Sequence, residues 1–179
     1  MLPKAIIIIL AIGTLSSCRT GLRSTESEVK ILGKGFSARV QNKAFKETRK
    51  YYQHELNLLP LFSIRDHQSD SVDFFFIDQN KLHISFVENG EKVEKTFNGK
   101  FSKRGYFEIL FQNEKLEIPP HFPIFYSRYN VERVQIGLTR DGCLVVGNFW
   151  SLGGNLLFIT GGGKGELVGC FKFRALKVQ

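Results

Sequence analysis

The sequence predicts an all-β domain, an antiparallel up-and-down meander of about nine or ten short strands. Phenylalanine, a strong β former and a large core residue, occurs 17 times, against one tryptophan and one methionine. Beyond residue 71, short apolar segments are separated by turn residues at near-regular spacing, which is typical of an antiparallel barrel or sandwich. Apolar residues make up 42% of the chain, enough for a hydrophobic core.

The first part of this domain is predicted to hold one strand and one short helix. Residues 34–40 form the strand, with Gly35 allowing a bend or a close approach. Asn42 can cap a helix, which Pro60 is expected to end. The apolar face of this helix carries Phe45, Thr48, Tyr52, Leu56 and Leu59. We expect the helix to cover an open end or edge of the sheet.

The middle of the chain reads as successive hairpins. Residues 72–77 are rich in β formers, and residues 82–86 alternate apolar with polar side chains as a half-buried strand does. Asn89-Gly90 is the strongest turn signal, because a type I′ turn needs positive φ at both positions. We expect the return strand to span residues 92–101.

The next hairpin is predicted over residues 106–118, turning at residues 112–114. The prolines of segment 119–123 should stop the ladder, since proline donates no hydrogen bond. Further strands are predicted over residues 134–139, 143–148, 156–160 and 167–173, with Asp141-Gly142 as a tight turn and residues 161–165 as a flexible glycine-rich connection.

A glycine-aromatic first strand, a short helix and then a meander are similar to the lipocalin-like (calycin) layout. Gly35-Phe36 stands where lipocalins carry Gly-x-Trp, which is a departure from the family pattern. The resemblance implies that the meander closes into a barrel able to hold a lipid or another small apolar ligand.

The N-terminus reads as a targeting segment. A start carrying Lys4 precedes an apolar run at residues 5–12, which is too short to span a bilayer. The following Leu15-Ser16-Ser17-Cys18 resembles the lipobox of bacterial lipoproteins. This resemblance implies that residues 1–17 are a signal peptide and that Cys18 is lipidated, with a diacylglyceryl thioether and an amide-linked acyl chain. An ordinary secreted protein is the alternative.

The remaining chain divides into a polar tether at residues 18–30 and one domain at residues 31–179. Arg19 replaces the aspartate that retains enterobacterial lipoproteins at the inner membrane, so the resemblance favours the outer membrane. The chain also contains the blocks Gly99-Lys100, Gly105-Tyr106-Phe107 and Ile118-Pro119-Pro120, and the stretch at residues 137–142. These blocks resemble those of small envelope lipoproteins of Bacteroidetes-type bacteria, a family that implies no activity.

No enzyme signature is present in the sequence: there is no Gly-x-Ser-x-Gly elbow and no His-Glu-x-x-His motif. His67 lies near Asp66, Asp70 and Asp73, which could mimic a hydrolytic or metal cluster, but a solvated loop is the favoured interpretation because metal ligands must converge. We therefore expect no enzymatic activity, no metal and no cofactor.

Four aromatic residues after the proline break are the candidate ligand contacts: Phe122, Phe125, Tyr126 and Tyr129. The favoured alternative is a loop folded onto the core, because aromatic side chains fill cores more often than pockets. Two functions follow as expectations. One is a lipid-anchored envelope protein holding a small apolar ligand in a barrel, and the other is a non-enzymatic interaction or structural lipoprotein with a packed core.

Charge and cysteines add few constraints. The formal net charge is +8, or +7 without Lys4, and its scattered distribution favours solubility over an anionic partner such as lipid head groups. Export argues against nucleic acid as a partner, and nothing identifies a protein partner. Cys143 and Cys170 could form a disulfide in an oxidising envelope or stay as buried thiols, and both alternatives are open.

Overall fold

The computed structural model describes residues 35–47, 55–103, 105–118, 126–139, 142–157 and 159–173. These residues form ten strands and one helix of a single turn. The elements in chain order are β1 (Ser37–Gln41), β2 (Lys46–Glu47), α1 (Leu58–Leu61), β3 (Ser71–Phe76), β4 (Lys81–Glu88), β5 (Glu91–Asn98), β6 (Lys100–Phe101), β7 (Phe107–Ile118), β8 (Tyr126–Leu138), β9 (Cys143–Leu156) and β10 (Ile159–Lys172).

The strands form two antiparallel sheets. The smaller sheet has the order β1-β3-β4-β5, and the larger one has the order β2-β10-β9-β8-β7-β6. From β3 to β5 and from β6 to β10, strands that follow one another along the chain pair with one another, as in a meander. The exceptions are β1, which pairs with β3, and β2, which pairs with β10. The all-β prediction is confirmed, whereas no closed barrel is detected among the described strands.

The hairpin between β4 and β5 turns where the sequence predicts it. Asn89 and Gly90 have φ angles of 51° and 84°, and Glu88 pairs with Glu91 across the turn. Both central residues therefore adopt the positive φ that a type I′ turn requires, and the prediction is confirmed.

The predicted helix over residues 42–59 is wrong where the structure describes it. Strand β2 lies inside this range, residues 48–54 lie outside the described part of the chain, and helix α1 contains Pro60 instead of ending before it. Proline is tolerated there because the first amides of a helix have no partner within the helix.

Asn42 still caps a helix, but it does so from a distant part of the chain. Its Oδ1 accepts hydrogen bonds from the backbone N–H groups of Leu58 and Leu59, at 3.0 and 3.1 Å. Residues on either side are joined by a β-bridge between Lys43 and Asn57. Backbone pairing with a distant segment therefore replaces the local helix that periodicity favoured.

Strand β7 contradicts the predicted hairpin over residues 106–118. The chain runs straight from Phe107 to Ile118, with an irregularity in the pairing between Leu110 and Gln112. Phe111, which is left without a register partner at this bulge, has its side chain on the core side, where its ring lies 5.8 Å from that of Phe97. The polar residues after it suggest a turn, yet they are strand residues facing solvent.

Strands β9 and β10 are also longer than predicted. Residues 149–155 continue β9, and the glycine-rich residues 161–165 lie inside β10, so the predicted flexible connection is wrong. Each of these glycines pairs with a residue of β9, from Gly161 opposite Gly154 to Gly165 opposite Trp150. Ladder hydrogen bonds to β9 therefore supply the order that the side chains lack.

The core lies between the two sheets and is rich in phenylalanine, as predicted. The fully buried aromatic residues are Phe62, Phe74, Phe76, Phe107 and Phe171. The ring of Phe107 lies 5.0 Å from the rings of both Phe76 and Phe101, in edge-on geometry that favours aromatic pairs.

A disulfide joins Cys143 of β9 to Cys170 of β10, with 5.8 Å between the Cα atoms. Cys143 pairs with Lys172 and Cys170 pairs with Val145, so the two cysteines are diagonal neighbours on adjacent strands. This separation lies within the range that a disulfide spans without backbone movement. The structure thus places together the two cysteines whose pairing the sequence left open.

Candidate interaction surface

The larger sheet extends well past the smaller one. Burial along its four long strands ends at about the same level, near Ile109, Val134, Phe149 and Leu167. We call the remaining part the sheet extension and define it as residues 112–118, 126–132, 150–156 and 159–165. At about 3.3 Å per residue, it projects roughly 23 Å beyond the packed core.

One face of the sheet extension continues the core-facing side of the sheet. Val134 and Ile136 point into the core, and side chains alternate along a strand, so Tyr126 and Arg128 lie on the same side. We call this side the apolar face. Its large apolar residues are Leu116, Ile118, Tyr126, Trp150, Leu152, Leu156 and Ile159. Five of these seven are exposed, and Ile159 retains 75% of its accessible surface.

The end of the apolar face is a continuous row of four apolar side chains. Ile118 pairs with Tyr126, Tyr126 with Leu156, and Leu156 with Ile159, so that one row crosses four strands. The row behind it contains Leu116 and Arg128 together with two glycines of β9 and β10. The wholly apolar zone is therefore confined to the tip of the sheet.

An open groove of about 490 Å³ lies along the apolar face, lined in part by Tyr126, Arg128, Leu152, Leu156 and Ile159. A second hollow of about 530 Å³ lies near the opposite face, beside Tyr129 and Lys164. The first groove combines apolar side chains with one guanidinium group, a combination that suits an amphiphile or an apolar partner surface.

Two aromatic rings lie over glycines in the sheet extension. A Cβ atom on Gly153 would lie 2.7 Å from the hydroxyl oxygen of Tyr129, and one on Gly165 would collide with the ring of Trp150. Such cross-strand aromatic cover stabilises strands at positions that have no side chain. Glycine at these positions thus permits the close approach of the ring.

Two of the four predicted ligand contacts, Tyr126 and Tyr129, lie within the described residues, and both line the groove of about 490 Å³. Tyr126 and Tyr129 are three residues apart on β8, so their side chains lie on opposite faces of the sheet. Phe122 and Phe125 lie outside the described residues, as does Cys18.

The apolar residues of the β9–β10 hairpin were missed by the sequence analysis. A signal was present, because residues 156–159 are all apolar although a turn falls among them. Turns usually carry glycine, asparagine, aspartate, serine or proline. An apolar turn between two strands therefore marks an exposed contact surface.

The loop with Asp66 and Asp70 forms a local polar network. His67 Nδ1 lies 2.6 Å from Glu88 Oε2, and the backbone N–H of Gln68 donates to Glu88 Oε1 at 2.7 Å. The hydrogen bond from Gln68, followed by the one with His67, lowers the pKa of the Glu88 carboxyl below its usual value.

The fourth member of the predicted cluster, Asp73, lies apart from this network. Both of its carboxylate oxygens accept hydrogen bonds from Arg39, at 2.6 and 2.7 Å. Throughout the described ranges, no three residues of the His, Cys, Asp and Glu types converge as metal ligands do. The acidic residues here hold a loop and a strand pair in place.

No helix in the described ranges is both long and apolar enough to cross a membrane. No family model matches the chain, and comparisons with curated proteins and with solved structures find no significant match. Functional inference therefore depends on the geometry of the sheet extension.

Proposed function

We propose that the protein is a lipid-anchored, non-enzymatic protein of the cell envelope that binds an apolar partner through the apolar face of its sheet extension. One observation carries this proposal: the side of the larger sheet that forms the core continues for about seven residues per strand, and no other described element covers it there. Soluble monomers rarely expose a contiguous apolar patch of this kind, and such patches mark interaction sites.

The anchor in this proposal is Cys18, lipidated after removal of residues 1–17, with residues 18–30 as the tether and the outer membrane as the destination. Two or more acyl chains give stable membrane anchoring, whereas one chain gives marginal binding. In a cell that processes the lipobox, a labelled fatty acid supplied to the culture should become covalently attached to the natural chain and not to Cys18→Ala exported through an ordinary signal peptide. Absence of label from the natural chain, or equal labelling of both chains, would argue against the anchor.

An interaction module is favoured over an enzyme because the carboxylates of Glu88 and Asp73 have structural partners. Glu88 binds His67 and Gln68, and Asp73 binds Arg39. A phenylalanine-filled core also supports the packed interior of an interaction lipoprotein. In the described part of the chain, no three His, Cys, Asp or Glu residues converge as the ligands of a catalytic metal would.

Site-specific photocrosslinking in intact cells tests the binding surface. A photoactivatable residue replaces Leu156 at the tip, and the matched control replaces Val87, an isolated apolar residue of the smaller sheet with the same exposure, 57% against 58%. We expect a defined protein or lipid adduct from position 156 that position 87 does not give. Equal adduct patterns at both positions would contradict the proposal.

A small amphiphile bound to the apolar face is the second candidate, supported by the groove volume. About 490 Å³ falls within the usual range for ligand pockets, and Arg128 offers a charge-assisted hydrogen bond to an anionic head group. The sequence analysis instead predicts a closed lipocalin-like barrel that holds the ligand in its interior, and this remains a prediction.

Native mass spectrometry of the exported Cys18→Ala protein tests the second candidate. We expect an added mass that disappears under denaturing conditions and is reduced by Arg128→Ala. A bare chain mass after gentle isolation would exclude a tightly bound ligand and favour the first candidate.

A further inference from the structure

We infer that the tip of the sheet extension inserts into the acyl-chain region of a lipid bilayer. This inference rests on the proposed function, since it names the partner of the same apolar face. It concerns the row of Ile118, Tyr126, Leu156 and Ile159 together with Leu157, the described turn residue beside that row.

The backbone of the β9–β10 turn carries the first argument. Leu157 has a φ angle of 45°, in the left-handed region that a bulky side chain rarely adopts. The Asn89-Gly90 turn in the same protein uses residue types that suit positive φ. Leu157 is also 59% exposed, so its side chain gains little burial within the molecule. A leucine that is both disfavoured locally and exposed points to a contact outside the chain.

The depth of the apolar zone is the second argument. On the apolar face, the first charged side chain behind the tip row is Arg128, two residues back along β8 and so about 7 Å away. Interfacial elements of proteins insert their apolar side chains about 5–10 Å into a bilayer. The apolar row of this face thus matches the depth of such an insertion, and the long Arg128 side chain can extend its charge toward the head groups. The opposite face carries Glu117 one residue behind Ile118, so it is the apolar face that turns toward the bilayer.

The position of the tyrosines agrees with this depth. Tyr126 lies in the tip row, and Tyr129 lies three residues back, at about 10 Å. Tyrosine is enriched at membrane interfaces because its ring is apolar and its hydroxyl is polar. The Tyr129 hydroxyl can therefore lie at the level of the head groups while the tip row, including the ring of Tyr126, lies deeper.

Positive and negative charges near the tip almost balance, which allows apolar insertion to be distinguished from electrostatic binding. Lys115 forms an ion pair with Glu117 at 2.7 Å, and Arg128 adds one positive charge. Insertion should therefore depend on apolar burial and respond only weakly to salt or to the charge of the lipid. Binding by general attraction of the basic protein to anionic lipid would show the opposite dependence.

The tip and a lipid on Cys18 can reach the same bilayer. Strand β10 runs about 46 Å from Ile159 to the vicinity of Phe173, which lies beside β1. The 17 residues from Cys18 to Gly35 can span at most about 60 Å. This bound permits the anchored chain to set the tip down on the membrane that holds the anchor.

Vesicle cosedimentation of the full mature chain carrying Cys18→Ala tests the inference without the lipid anchor. The probes are vesicles of phosphatidylcholine alone and of phosphatidylcholine with phosphatidylglycerol. We expect binding to both, with roughly tenfold weaker affinity for Leu157→Asn, because burial of a half-exposed leucine side chain is worth about one power of ten. Asparagine tolerates positive φ, so this variant should keep its fold.

The control is Val87→Asn, which removes an equally exposed apolar side chain from the smaller sheet and should leave vesicle binding unchanged. An equal loss in both variants, a failure to bind either vesicle, or binding that requires phosphatidylglycerol and disappears in salt would each overturn the inference. A specific protein adduct from position 156, combined with no vesicle binding, would overturn it while leaving the proposed function intact.

A fluorescent label gives a second readout that does not depend on affinity. An environment-sensitive dye on Leu157→Cys should shift its emission to the blue when vesicles are added, whereas the same dye on Val87→Cys should not. Equal emission shifts at the two positions would show that the tip does not insert into the bilayer in preference to the smaller sheet.

Discussion

Replacing Gly165 by alanine should force the indole of Trp150 away from β10. A Cβ atom at this position would overlap ring carbons of Trp150, whereas a Cβ atom on Gly163, two residues away on the same face and strand, meets nothing within 4 Å. Gly163→Ala is therefore the matched control, since both changes remove one glycine from β10 and add one methyl group to the apolar face.

Two opposing effects determine how much Gly165→Ala changes the free energy of unfolding. Overpacking against a ring costs about 1–3 kcal/mol, while replacing glycine by alanine in a strand returns about 0.5–1 kcal/mol. We expect Gly165→Ala to lower the free energy of unfolding by about 1 kcal/mol and Gly163→Ala to raise it slightly. Urea unfolding followed by circular dichroism measures both values.

Two further observations decide whether the reasoning holds. Trp150 is the only tryptophan of the chain, so its fluorescence should change in Gly165→Ala and stay constant in Gly163→Ala. Adding Trp150→Ala should remove the penalty of Gly165→Ala, because the collision partner is then absent. If the two glycine variants are equally stable, the ring does not lie on β10 as the structure places it.

Two predictions concern other parts of the fold. The disulfide between Cys143 and Cys170 closes a loop with a sequence separation of 27, so its reduction should cost about 3 kcal/mol, and the intact protein should weigh two hydrogens less than the reduced chain. A mass that does not change on reduction would remove the disulfide. The Glu88 carboxyl has a lowered pKa in the folded protein, first through Gln68 and then through His67, so its stabilising effect is complete above the ordinary value of 4.5 and is lost as the pH falls below it. Glu88→Gln should therefore flatten the pH dependence of stability in that acid range, and an unchanged acid limb would contradict the assignment.

The sheet extension shows why local patterns fail for long strands. Residues Gln112 to Glu114 look like a turn because they are polar, yet they continue β7 beyond the edge of the smaller sheet. Polar side chains on both faces occur in a strand that no second sheet covers, and they also occur in a turn. Only the position of the smaller sheet distinguishes the two cases.

The glycine-rich stretch shows that local composition can also wrongly predict flexibility. Residues 161–165 have almost no side chains to show a strand pattern, but β9 pairs with each of them and Trp150 covers one of them. The order of this stretch comes from its neighbours. Residue propensities alone therefore predict a loose connection where the protein has a strand.

The sequence by itself determined the features that depend on local chemistry. Positive φ at Asn89 and Gly90 fixed one hairpin, alternating side chains fixed the strand that precedes it, and abundant phenylalanine fixed an aromatic core. Each of these three features follows from steric preference or from burial of one residue type, and none of them requires knowledge of a distant partner.

Only the tertiary structure decided the helix, the lengths of β7 to β10 and the location of the candidate surface. Asn42 caps α1 across 16 residues, and the apolar row at the tip assembles from four strands that are separated along the chain. Whether an apolar side chain becomes core or exposed surface depends on what lies opposite it. That information is held in the relative position of the two sheets, and no local stretch of sequence carries it.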